Sequence, residues 1–125
     1  MENFSVAQLG ALSDVAGKVF MKEQLGLTGC EISISTIDAG KTSPFIHAHK
    51  QNEEIFIFLQ GSGTFYIDGQ MLPVKEGSMV KVKPAGKRSL KADDKLVYIC
   101  IQAKENSLEQ ATREDGIIFD EEVSW

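Results

Sequence analysis

The sequence of 125 residues lacks the features that mark several common classes of protein. Its N-terminus has no basic segment followed by an apolar one, as a secretory signal would have, and no apolar stretch is long enough to cross a bilayer. With 18 acidic and 13 basic residues, the chain has no excess of positive charge for binding nucleic acid or an anionic membrane. We therefore expect a cytoplasmic protein that binds neither.

Cysteine is scarce as well, with two residues in the chain. Cys30 and Cys100 lie far apart and match no metal-ligand or redox spacing. Each sits in or beside an apolar strand pattern, so we expect both to be buried thiols in a reducing compartment. The length of the chain is typical of one domain, and we expect residues 1–125 to form it.

The two histidines of the sequence, His47 and His49, fall in one short stretch. On an extended strand, residues i and i+2 project from the same face, so the two imidazoles would stand side by side. Such a pair can hold a metal ion, and a carboxylate would complete a set of two histidines and one acid. Glu54 is the candidate acid. The alternative is that the histidines are ordinary polar surface.

Glu54 precedes an apolar run at residues 55–59, where a strand enters a core. A buried carboxylate is costly without a cation or hydrogen bonds, and a metal would supply the cation. The run is apolar on both faces, whereas antiparallel strands usually have one solvated face. We expect Phe56 and Phe58 to face inward with Glu54, and the aliphatic residues Ile55, Ile57 and Leu59 to face a second subunit of a homodimer.

Further segments read as short strands separated by turns, which is typical of a β-sandwich or barrel. The Asp68-Gly69 pair predicts a tight hairpin. In the segment that begins at Met79, Val80 and Val82 are expected to point inward. The other predicted strands comprise residues 19–25, 31–37, 64–67, 70–74 and 96–102; the pattern leaves open which face of the last one lines the interior.

Residues 104–125 form a polar and acidic C-terminal extension. Ser107 and Gln110 have the spacing of a capping box and predict a short helix. The apolar residues at 116–119 and Trp125 are expected to fold back onto the barrel and cover an end or an edge.

Two motifs in this sequence resemble those of the cupins, a family of small β-barrel proteins that commonly bind one metal ion. The first motif comprises Gly40, His47, His49, Glu54 and Gly61, and the second comprises Gly77, Pro84, Gly86, Ser89 and Asp93. The resemblance implies an all-β fold, a cupin-type double-stranded β-helix or jelly-roll barrel. Its core would span about residues 18–103, with short irregular N- and C-terminal extensions.

The resemblance also implies a bound divalent transition metal, Zn, Fe, Mn or Ni, with His47, His49 and Glu54 as ligands. A histidine serves the family as fourth ligand where this sequence has Ser89, and three protein ligands leave positions open for water or substrate. The residues expected to line the pocket are Ser89, Phe56, Phe58, Val80, Val82, Lys87 and Arg88. Basic residues around Pro84 form either a lip that attracts an anionic substrate or a solvated surface.

Two functions follow from this interpretation. The first is a metal-binding barrel that binds or transforms a small polar molecule, with dioxygenases, isomerases and decarboxylases as the reaction classes that the family suggests. The second is a small-ligand-binding barrel that does no chemistry, and that either holds its ligand through the metal or is metal-free because Ser89 replaces the fourth ligand. The fold alone does not choose between them, because it supports many functions.

Overall fold

The structure, a computed structural model, describes residues 2–110 and 113–125, which are built almost entirely of β-strands. The eight strands are β1 (Lys18–Phe20), β2 (Glu31–Ile37), β3 (Asn52–Gln60), β4 (Ser62–Ile67), β5 (Gln70–Lys75), β6 (Met79–Val82), β7 (Arg88–Ala92) and β8 (Leu96–Lys104). One helical turn, α1 (Lys22–Leu25), and two 3-10 turns, Leu12–Asp14 and Arg113–Asp115, complete the described elements. No helix in these ranges has the length and apolar character needed to span a membrane.

The strands form two antiparallel sheets, as the strand pattern predicts. The larger sheet has the order β1-β2-β8-β3-β6 and the smaller has the order β5-β4-β7. Apart from β1 and β2, neighbours in the larger sheet are not consecutive in sequence, so β8 from the end of the chain lies between β2 and β3. This arrangement brings residues of β3, β7 and β8 to one end of the interior.

Aromatic side chains from both sheets fill the space between them. Phe56 and Phe58 of β3 are buried, as predicted, and their rings contact Phe65 of β4 with centroid separations of 5.0 and 6.5 Å. On β8, Leu96, Tyr98 and Cys100 face the same interior, which settles the orientation that the sequence leaves open. Phe56 and Phe58 therefore belong to the hydrophobic core between the two sheets.

Two of the predicted turns contain residues in the left-handed backbone conformation, with positive φ angles. Asp68 and Gly69 have φ angles of 47° and 86° and join β4 to β5, which confirms the hairpin. Gly61 joins β3 to β4 at φ +87°, and a Cβ atom there would collide with the carbonyl group of Lys95. Glycine is the residue that accepts such a backbone without steric cost.

The prediction of a strand over residues 19–25 is wrong beyond its first part. β1 ends at Phe20 and α1 follows it, ending at Gly26 in the left-handed conformation. The cause is a contact with the start of β2, because the Glu31 carboxylate accepts hydrogen bonds from the backbone amides of Met21 and Lys22 at 3.1 and 2.7 Å. Unpaired amides at the start of a helix need such acceptors.

The C-terminal extension does not cover the barrel, so that prediction is wrong. Ile117, Ile118, Phe119 and Trp125 are 78%, 98%, 69% and 106% exposed. Residues 107–110 are not helical, whereas a 3-10 turn occurs at Arg113–Asp115, and residues 111–112 lie outside the described part. The segment contains acidic residues on both sides of its apolar ones, and none of its described residues after Lys104 joins a sheet.

Candidate metal centre

The chain around the two histidines is extended because it pairs with the segment that leads into β7. His47 and Arg88 exchange backbone hydrogen bonds of 3.2 and 3.0 Å, and the amide of His49 donates to the carbonyl group of Pro84 at 2.8 Å. Both side chains consequently lie over the end of β3 where Glu54 is located. This extended geometry is the one that the spacing of the histidines predicts.

The two imidazoles and the Glu54 carboxylate converge. One ligand atom from each residue lies within 4.8 Å of the other two. His47 Nε2 is 3.7 Å from Glu54 Oε1, and His49 Nε2 is 3.4 Å from Oε2. The Glu54 residue is 5% exposed, whereas the side chain of His47 is 39% exposed and marks the open side of the site.

Arg88 is the counter-ion of Glu54 in this structure. Its Nε donates a hydrogen bond to Glu54 Oε1 at 3.1 Å, and its Nη2 lies 2.9 Å from the same oxygen. The Nη1 atom donates to the carbonyl groups of Pro84 and Gly86, and the residue is 1% exposed. The burial of Glu54 therefore does not by itself require a metal.

The second carboxylate oxygen has a different neighbour. The Cys100 thiol, from β8, donates to Glu54 Oε2 at 3.2 Å. Burial, and then the negative charge of Glu54, raise the pKa of this thiol well above its ordinary value, so it stays protonated at neutral pH. Glu54 Oε1 therefore contacts Arg88, whereas Cys100 and His49 lie beside Oε2.

His47 is held in its neutral form. Loss of solvent lowers its pKa below the usual 6.5; the Glu54 charge opposes this effect, and the nearby Arg88, His49 and Lys18 add to it. A neutral imidazole is the form that can bind a metal.

The structure does not bring every predicted pocket residue to this site. Ser89 projects from the opposite face of β7 to Arg88, its hydroxyl 2.9 Å from that of Ser43. It lines a pocket of about 540 Å³ on the outer side of the smaller sheet, with Tyr66 and Met71. Strand alternation explains the difference, since consecutive residues point to opposite faces.

The remaining predicted pocket residues are also placed by alternation. Val82 is buried and Val80 half-buried, so both point inward from β6. Lys87 is exposed, and its backbone amide donates to the Asp68 carboxylate at 2.9 Å. The other lysines of the basic cluster, Lys81, Lys83 and Lys91, are exposed too. Of the cluster, Arg88 is the residue that contacts Glu54.

The donor set fits a divalent transition metal. His49 Nε2 is buried and has no hydrogen-bond partner within residues 2–110 and 113–125, although it lies 3.4 Å from Glu54 Oε2. A buried polar atom without a partner is costly, and a metal ion would satisfy it. Two imidazoles and a carboxylate are a set that zinc, iron, manganese and nickel accept.

The comparisons with known proteins agree with this architecture. The family described as "Cupin domain" matches residues 33–101. A crystal structure of a cupin protein from Bacteroides fragilis is 37% identical, covers 95% of this chain and 99% of its own, and superimposes with a TM-score of 0.88. The chain belongs to the cupin family.

Two more distant structures share the cupin fold over part of their length. A putative sugar phosphate isomerase from Acidithiobacillus ferrooxidans is 27% identical, with 70% of this chain and 58% of that one aligned at a TM-score of 0.62. A predicted oxalate decarboxylase from Thermotoga maritima is 20% identical, with 58% and 64% aligned at a TM-score of 0.55. The chain spans less than two thirds of either protein. No curated protein has significant similarity to it.

Proposed function

We propose that this cupin binds one divalent transition metal, Zn, Fe, Mn or Ni, through His47, His49 and Glu54, and that it binds or transforms a small polar molecule there. The observation that carries the proposal is His49 Nε2, which is buried, faces a carboxylate and has no hydrogen-bond partner in the part of the chain that the structure describes. A metal ion between the three side chains would satisfy that nitrogen.

The side chains would have separate roles in such a site. A bound metal would polarise an oxygen atom of the ligand as a Lewis acid. His47 lies on the exposed side, and its ring packs edge-to-face against Phe45 with centroids 5.9 Å apart, which fixes its orientation. Glu54 is held by Arg88, so its carboxylate enters the site from a fixed direction.

A metalloenzyme is the first reading of this site, with isomerases, decarboxylases and dioxygenases as the candidate classes. The two distant relatives are described as a predicted oxalate decarboxylase and a putative sugar phosphate isomerase, which supports two of these classes. We infer a single domain spanning residues 1–125 that works in the cytoplasm, with Phe56, Phe58, Val80, Val82, Lys87 and Arg88 as the proposed surroundings of the ligand.

A specific observation favours a second candidate, a metal-free protein that binds a small ligand without chemistry. Arg88 already supplies the positive charge that a buried Glu54 needs. In that case the two imidazoles would serve as hydrogen-bonding groups for the ligand rather than as metal ligands.

Elemental analysis of protein purified without chelators or a metal-affinity tag separates the two candidates. We expect about one metal ion per chain in the parent protein and little in His49→Ala, because loss of a ligand weakens a three-ligand site. Ser89→Ala is the matched control, since Ser89 faces away from the site. Absence of metal from all three proteins, also after incubation with zinc or nickel salts, would favour the metal-free binder.

A further inference from the structure

The metal centre contains a positive charge of its own. Glu54 contributes one negative charge and Arg88 contributes one positive charge at 2.9 Å from it, and an imidazole adds no charge when it binds a metal. The charges of the residues around the site therefore cancel before any metal binds. Arg88 is fully buried, so solvent does little to screen its charge.

A second cation reinforces this balance. Lys18 of β1 pairs with Ser35 and is exposed, and its positive charge has a small lowering effect on the pKa of both His47 and Cys100. Glu54 is the acid that raises the pKa of His47, and Arg88 opposes it. A divalent cation bound by the two histidines and Glu54 would therefore retain both of its positive charges.

We propose that Arg88 makes this site selective for an anionic oxygen ligand, so that a metal ion binds weakly alone and tightly together with a small carboxylate or a comparable oxyanion. This inference rests on the metal centre proposed above and names its substrate class. The physical reason is electrostatic. Arg88 already balances the negative charge of Glu54, so the positive charge of a bound metal stays uncompensated until an anion binds.

Geometry gives Arg88 a second effect on the metal. Both of its close contacts to Glu54, from Nε and Nη2, are to Oε1, whereas His49 Nε2 faces Oε2. Arg88 thereby occupies Oε1, whereas Oε2, which accepts a hydrogen bond from the Cys100 thiol, is the oxygen that faces His49. Arg88 acts through Glu54 and is therefore a positioning residue, and open coordination positions remain for the anion.

Calorimetric titration with zinc chloride in a carboxylate-free buffer tests the proposal. We expect Arg88→Gln to bind zinc about 10- to 100-fold more tightly than the parent protein, because the repelling charge is gone while a hydrogen-bond donor for Glu54 remains. The matched control is Ser89→Gln, on the opposite face of the same strand, which should leave zinc affinity unchanged. Far-UV circular dichroism verifies that each variant is folded.

A second titration uses the parent protein alone and does not depend on the folding of a variant. We expect saturating sodium acetate to lower the zinc Kd at least about fivefold, after correction for zinc–acetate binding in solution and for ionic strength with sodium perchlorate. If zinc binds but acetate leaves the zinc affinity unchanged, the role of Arg88 is overturned while the metal centre stands. The same conclusion follows if a folded Arg88→Gln protein binds zinc no more tightly than the parent protein. If zinc binds neither protein, the metal centre itself fails.

Discussion

At the scale of single residues, the sequence predicts the two histidines of the site but does not predict the role of Arg88. His47 and His49 are predictable because a two-residue spacing on extended chain places them on one face. Arg88 is missed as the partner of Glu54 because the motif spacing points to Ser89. The alternation of Arg88, Leu90 and Ala92, all buried, is the signal that identifies the inward face of β7.

The two cysteines should differ strongly in reactivity. Cys30 is half-buried at the surface, whereas Cys100 is buried, donates to Glu54 and has a raised pKa. Because the thiolate is the reactive form, we expect an aromatic disulfide reagent to modify about one thiol per native chain rapidly, and both thiols after denaturation.

Cys30→Ser provides the control for this assignment and should abolish the rapid phase. Rapid modification of Cys100 in the folded Cys30→Ser protein would contradict the closed packing around Glu54.

At the scale of elements, alternation predicts β2 correctly, the apolar run at residues 55–59 predicts β3, and the Asp68-Gly69 pair predicts the β4–β5 hairpin. The end of β1 is missed because the amides of Met21 and Lys22 bind the Glu31 side chain, a contact that strand periodicity does not describe. The C-terminal extension is also missed, since a capping-box pattern describes local preference and supplies no tertiary partner.

Two glycines with the same backbone conformation allow a measurement of close packing at the β3–β4 turn. Gly61 and Gly77 both have φ +87°, but a Cβ atom at Gly61 would meet the Lys95 carbonyl group, whereas one at Gly77 meets nothing within 4 Å. We expect Gly77→Ala to lower the free energy of unfolding by about 1–2 kcal/mol from left-handed strain alone.

Gly61→Ala should cost about 1–3 kcal/mol more, because the new methyl group also displaces backbone. Urea denaturation of both variants measures the difference. Equal losses of stability would show that the backbone of the Lys95 region shifts freely, contrary to the tight approach seen here.

At the scale of the whole molecule, we propose that the outer face of the larger sheet forms the homodimer interface that the sequence leads us to expect. Ile55 and Ile57 are half-buried there and pair with Ile101 and Ile99 of β8. Met79 pairs with Ile57 and is 66% exposed. A contiguous aliphatic surface of this kind is a frequent mark of an interface between subunits.

Met79→Glu tests the dimer against a matched substitution on the other sheet. Met71, on β5, is 68% exposed, so the two methionines are nearly equal in accessibility. If the dimer forms through the larger sheet, light scattering should give a dimer for the parent protein and Met71→Glu, and a monomer for Met79→Glu, because a buried charge is costly. A parent protein that is monomeric at micromolar concentration would reject the interface.

The position of the single tryptophan affects how this protein can be studied. Trp125 lies at the end of the exposed C-terminal extension and is itself fully exposed, so its indole is already surrounded by water in the native state. Its fluorescence emission should change little when the barrel melts, and a flat emission trace would not mean that the fold had survived. The same indole would instead report the arrival of anything that covers this end of the chain.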